Sequence, residues 1–115
     1  MAAVPVTYLW NRSCPSHAEG LELLRRVAES AGVELALTTR EVTSDQEAAA
    51  LRFPGSPTYL VAGRDIAPPP AGVPFAADGC RAYTRPGGRI GPLPDAATLT
   101  AALTAAAAPD PPEDA

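Results

Sequence analysis

The chain has 115 residues, a length that suits one compact domain. Hydrophobic residues make up 46% of it, but 24 of these are alanine, so the bulky apolar set supports one modest core and argues against a second domain. The net charge is −4 and all nine cations are arginines scattered along the chain, which argues against the strong basic field that nucleic-acid binding needs.

Val4 to Trp10 is apolar on both faces, as suits a central strand, with Pro5 near its beginning where a missing donor costs least. From Pro15 to Ala31, Leu21, Leu24, Val27, Ala28 and Ala31 recur at helical spacing, Glu22 sits four residues ahead of Arg26, and Gly32 supplies the stop. Gly20 stands out, because inside a helix it costs about 1 kcal/mol against alanine; it marks either a close approach or a weak turn. Val33 to Thr39, with Leu35 and Leu37 on one face, completes a βαβ unit. Ser44 and Glu47 fit a capping box ahead of a short helix bearing Ala48 and Leu51, which Pro54 and Gly55 end. Thr58 to Val61 reads as a third strand, Pro68 to Pro74 as a proline-rich loop, and Cys80 to Thr84 as a short fourth strand. Asp95 caps a last helix whose Leu99, Ala102, Leu103 and Ala106 share a face, and Pro109 ends it. The expected organisation is one domain over residues 1–108 and a disordered acidic tail over 109–115. The order βαβαββα predicts an α/β fold: a four-stranded mixed sheet with helices on both faces.

Two cysteines are too few for a secreted disulfide framework, so Cys14 and Cys80 are each judged first as thiols. The start of the chain has no basic region ahead of an apolar core, and no apolar run reaches bilayer length, so a cytoplasmic protein is expected. Cys14 precedes the first helix, where unpaired N–H groups and the positive end of the helix dipole favour a thiolate. Arg12 adds positive charge nearby, and His17 lies three residues on, where its imidazole can donate to the sulfur. These features predict a reactive nucleophile; the bland alternative is an inert thiol. The reactive reading needs a sulfur that solvent can reach, and a deeply enclosed one would point to a scaffold.

Cys80 reads most simply as a buried small apolar residue at a strand start. In a hairpin following Pro57 it lies at the far end of a four-residue strand, about 13 Å from the helix terminus. A disulfide allows only about 7 Å between Cα atoms, although the long proline-rich loop leaves room for another register. Cys14, His17 and Cys80 are one ligand short of a structural zinc site, so no metal is expected; two thiolates that meet could still hold a soft ion. Gly87 and Gly88 between Arg85 and Arg89 could face the carboxylate of a small thiol, but read first as a connector. Ser13 and Ser16 beside the sole histidine lack the acid partner and oxyanion donors of a hydrolase.

Three motifs carry a resemblance over nearly the whole chain: Cys14-Pro15-Ser16-His17 after the first strand, Ser56-Pro57-Thr58 opening the third, and Gly91 with the prolines before the last helix. Together they resemble the thioredoxin-like superfamily. More narrowly, Phe53-Pro54-Gly55-Ser56-Pro57-Thr58 with the later Cys80-Arg81-Ala82-Tyr83 resembles small bacterial thioredoxin-like proteins sometimes labelled as related to alkylmercury lyase. The resemblance implies a thioredoxin-like fold, a cis peptide before Pro57 lying against the active cysteine, and thiol–disulfide exchange with a protein or low-molecular-weight disulfide. It assigns catalytic places to Cys14, His17 and Pro57, and places Trp10, Arg12, Ser56 and Thr58 along the substrate groove.

His17 stands where the family has its second cysteine. A histidine cannot resolve a mixed disulfide, so release falls to an outside thiol or to Cys80, as in a monothiol variant. Two other functions fit the same residues. One is a non-catalytic module that holds an extended peptide between Cys14 and Pro57 by backbone hydrogen bonds. The other is organomercurial or soft-metal handling by Cys14 with Cys80. No cofactor, nucleic acid or membrane is expected as a partner.

Overall fold

The computed structural model describes residues 3–107. Their elements are β1 (Val4–Trp10), α1 (His17–Ala31), β2 (Leu35–Glu41), α2 (Asp45–Leu51), β3 (Thr58–Val61), β4 (Arg64–Asp65), β5 (Tyr83–Thr84), β6 (Ile90–Gly91) and α3 (Ala96–Ala107). The expected end of the last helix at Pro109 and the acidic tail lie outside the described residues.

A four-stranded mixed sheet runs in the order β2-β1-β3-β4. β1 is central, as its two apolar faces predict. It pairs in parallel with β2 from Val4↔Leu35 to Trp10↔Glu41, and antiparallel with β3 from Val6↔Val61 to Leu9↔Thr58. Val4, Val6 and Tyr8 of β1, with Tyr59 and Val61 of β3, meet Leu24, Val27 and Ala28 of α1 and Leu99 and Leu103 of α3. Leu9 turns to the other face, where Val42, Phe53 and Ala48 of α2 cover it. Helices therefore flank both faces, and the mixed α/β architecture matches the sequence pattern.

The fourth strand differs from expectation. The residues that pair with β3 are Arg64 and Asp65, across a two-residue turn in which Ala62 and Gly63 both have positive φ. Such a turn matches the right-handed twist of the flanking strands and forms the shortest hairpin available. The expected strand from Cys80 to Thr84 divides instead. Cys80 makes an isolated parallel bridge to Ser56, and only Tyr83 and Thr84 extend, pairing with β6 in a separate two-stranded sheet. The observed order is thus βαβαββββα.

The helix signals mostly hold. Ser44 Oγ accepts the Glu47 N–H at 3.1 Å, and Glu47 Oε1 accepts the Thr43 N–H at 2.9 Å, one residue earlier than in a reciprocal box. Asp95 accepts both the Thr98 N–H and its hydroxyl ahead of α3. Leu99 and Leu103 of α3 are buried, but Ala106 is exposed. α1 begins at His17, two residues later than expected, and Gly32 closes it in the left-handed region at φ 68°. Among the described residues no helix is long and apolar enough to cross a membrane.

Gly20 proves to be a close approach. The Tyr8 hydroxyl donates to the His17 carbonyl and the Tyr59 hydroxyl to the Gly20 carbonyl at 2.7 Å, which pins the first turn of α1 onto β1 and β3. A Cβ on residue 20 would stand 2.5 Å from Tyr8 Oη and 2.9 Å from Tyr59 Oη. Gly20→Ala is therefore expected to destabilise the protein by about 1–3 kcal/mol through overpacking, although alanine is the better helix former. Urea unfolding checks this, and a stabilised variant would show the turn to be loose.

All three tyrosines of the chain, Tyr8, Tyr59 and Tyr83, are buried, and burial raises each hydroxyl above the ordinary tyrosine value. The stability they contribute is complete below the ordinary value, near pH 10, and is lost as pH rises from there through the raised values. Phenolate absorbance is expected to appear only together with alkaline loss of helix. Ionisation of a tyrosine in the folded protein near its ordinary value would contradict the packing.

Candidate functional site

The C-terminal end of β1 delivers Trp10 and Asn11 to the edge of the sheet, and residues 11–14 then turn, with the Cys14 N–H donating to the Asn11 carbonyl at 3.3 Å. Cys14 stands just ahead of α1, as the spacing predicts. Its thiol donates to the Ser56 carbonyl, with Sγ 3.6 Å from the oxygen. The Ser56–Pro57 peptide is cis, as the resemblance implies, and both residues are buried. Cys14 and the loop at Pro57 are thus neighbours.

The expected activation of the sulfur is largely missing. Cys14 is only 1% exposed, so the sulfur is enclosed rather than open to solvent, and its one hydrogen bond uses it as a donor. The Arg12 side chain is exposed and its Nε meets Glu41 Oε2 at 3.3 Å, so its charge serves the rim of β2. The His17 ring stacks on Trp10 with centroids 4.6 Å apart, and its Nδ1 lies 2.9 Å from the Cys14 carbonyl oxygen. A carbonyl only accepts, so the proton sits on Nδ1 and the ring grips the backbone of Cys14. Trp10 is half-buried beneath that ring, and Thr58 is fully buried, its hydroxyl donating to the Gly55 carbonyl at 2.7 Å. Neither Ser56 nor Thr58 faces an open groove.

The backbone of Ser56 is occupied by the chain itself. The Ser56 N–H donates to the Gly79 carbonyl at 2.9 Å and its carbonyl accepts the Arg81 N–H at 3.0 Å, so segment 77–81 lies along Ser56 as a strand would. Asn11 holds the segment from the other side, with Nδ2 donating to the Ala77 and Gly79 carbonyls at 2.8 Å each. The Ala77 N–H donates to Asp45 Oδ1 at 2.9 Å. Gly55 allows this contact: at φ 152° a Cβ there would stand 2.7 Å from the Cys80 carbonyl carbon.

Cys80 corrects two expectations. It is exposed, not a buried filler, and it lies beside Ser56 rather than at the far end of the sheet. The hairpin after β3 is completed by β4, which frees residues 66–79 to carry the chain back to the edge where Cys14 lies. Among the described residues no three His, Cys, Asp or Glu side chains group as metal ligands.

Sequence reasoning missed Asn11 and Arg81. Arg81 is buried, donates to Asp65 Oδ2 at 2.7 Å, to Thr58 Oγ1 at 3.3 Å and to the Ala67 carbonyl, and lies 4.5 Å over the Tyr83 ring. Tyr83 in turn donates to the Pro57 carbonyl at 2.6 Å. An arginine inside the otherwise uncharged run Cys80 to Thr84 was the available signal. Asn11, the single asparagine, at the end of a central strand was the other.

Asn11→Asp preserves shape but turns carboxylate oxygens toward the Ala77 and Gly79 carbonyls. It is expected to loosen segment 77–81 by about 1–3 kcal/mol and to speed alkylation of Cys14 in the folded protein. Mass spectrometry of iodoacetamide-treated protein checks this, and unchanged protection of Cys14 would count against the segment as its cover. Comparison with family models, with curated proteins and with solved structures gives no match for this chain.

Proposed function

We propose that this chain is a thioredoxin-like domain of the cytosol that carries out thiol–disulfide exchange at Cys14. The single observation that carries the reading is the contact of Cys14 Sγ with the Ser56 carbonyl, at the junction of the cis Pro57 loop and the start of α1. The sheet order and the helices on both faces support the fold named here.

Enclosure of Cys14 is the condition that, from the sequence, points to a scaffold. Exchange is proposed against that reading on the contact of the thiol with the Ser56 carbonyl, and it requires the sulfur to become accessible. The resting sulfur is shielded from solvent, so exchange requires the structure to open around it. His17, stacked on Trp10, holds the backbone of Cys14 through its carbonyl, and Ser56 supplies the acceptor for its S–H. When the sulfur attacks a disulfide, its proton leaves and one thiolate departs from the substrate. A peptide-binding module has less support, because both backbone groups of Ser56 that would hold an extended peptide are engaged by Gly79 and Arg81.

Exchange with oxidised glutathione in the folded protein tests the reading. Cys14 is expected to enter a disulfide faster than global unfolding allows, and Cys14→Ser, which keeps a donor for the Ser56 carbonyl, is expected to abolish disulfide turnover while retaining stability. A Cys14 that reacts only at the rate of unfolding would identify the chain as a scaffold.

A further inference from the structure

Cys80 is the thiol through which the enclosed Cys14 is reached, we infer, and the two form an intramolecular disulfide as the oxidised state of the protein. This rests on the exchange reading above and adds a second sulfur and an order of events. Cys14 and Cys80 are 66 positions apart in the chain, yet they converge on one peptide unit. The Ser56 carbonyl accepts the Cys14 thiol at 3.6 Å and the amide that follows Cys80 at 3.0 Å. Cys80 is itself bridged to Ser56, so its backbone runs one inter-strand spacing, about 4.8 Å, from that residue.

The two sulfurs differ in access. Cys14 is enclosed, whereas Cys80 is exposed on the segment that pairs with Ser56. An external disulfide therefore meets Cys80 first. The balanced sequence has two displacements. The Cys80 thiolate attacks one sulfur of the external disulfide, forming a mixed disulfide and releasing one thiolate. Cys14 then loses its proton and attacks Cys80 Sγ; the bond from Cys80 to the external sulfur breaks and the second thiolate leaves. Two protein thiols are oxidised, one external disulfide is reduced to two thiols, and the two protons end on the released sulfurs or in solvent.

The segment suits this role. Apart from the Cys80 bridge, residues 76–82 form no strand or helix, and Asn11, Asp45 and Ser56 hold their backbone while leaving the Cys80 side chain exposed. Gly55 brings the Cys80 backbone against the loop at Pro57, so the segment approaches the Cys14 side of the sheet without an intervening side chain.

The test is treatment of the full-length reduced protein with oxidised glutathione, followed by acid quenching, digestion without reductant and mass spectrometry. Wild type is expected to pass through glutathione on Cys80 to a Cys14–Cys80 cross-link two hydrogens lighter than the dithiol. Cys14→Ser should stop at the Cys80 adduct, and Cys80→Ser should lose rapid oxidation of Cys14. Persistent glutathione on Cys80 of the wild type with Cys14 still free, or dimers joined through Cys80, would overturn the inference. So would a Cys80→Ser variant whose Cys14 exchanges as fast as wild type, although exchange at Cys14 would then stand. A Cys14 inert in every form would remove both.

Discussion

The peptide unit of Ser56 is the junction on which the site depends. It is fully buried, its N–H and carbonyl pair with Gly79 and Arg81, its carbonyl also accepts the Cys14 thiol, and its hydroxyl accepts the Asn11 N–H at 3.2 Å. Two separate stretches of chain, the turn at residues 11–14 between β1 and α1 and segment 77–81, therefore meet at one residue. A buried polar group left without partners costs roughly 1–3 kcal/mol, so a displacement of either stretch is resisted by the need to re-satisfy Ser56. The two tyrosine hydroxyls under the first turn of α1 fix the other side of Cys14 in the same way, by satisfying helix carbonyls from the sheet.

This arrangement spends its polar groups on the backbone around the sulfur. Arg12 and His17, the two side chains expected beside the sulfur, are directed to Glu41 and to the Cys14 backbone. The sulfur itself faces the Ser56 carbonyl. Reactivity in such a site is controlled by access, and the Ser56 carbonyl that accepts the enclosed thiol also accepts the amide following the second cysteine.

Much of the fold could be read from the residues. β1 showed itself through apolar residues on both faces, α2 through Ser44 and Glu47, and the cis Pro57 loop through Ser56-Pro57-Thr58. β4 escaped notice because two residues cannot display a period, and the turn before it relies on Ala62 in a left-handed conformation that no residue type advertises. The division of residues 80–84 was hidden for a different reason. Their pairing is decided by partners 16 to 25 residues earlier in sequence, where Ser56, Thr58 and Asp65 present acceptors, and local pattern carries no information about such partners. In the site, the position of Cys14 was legible from spacing, but its enclosure was not, because burial is set by tertiary packing that local pattern does not carry.

Arg81 joins the β4 hairpin to that segment. Its guanidinium reaches a carboxylate, a hydroxyl and a backbone carbonyl on different residues while lying flat over an aromatic ring. A planar fork with five donors can do this; an ammonium, whose three donors radiate from one point, cannot span the same acceptors or stack in the same way. The chain contains no lysine at all, and at most surface positions an exchange of one cation for the other would leave the molecule much as it is. At position 81 the exchange would be structural, so drift in genomic base composition could rewrite the solvated arginines long before it could rewrite this one.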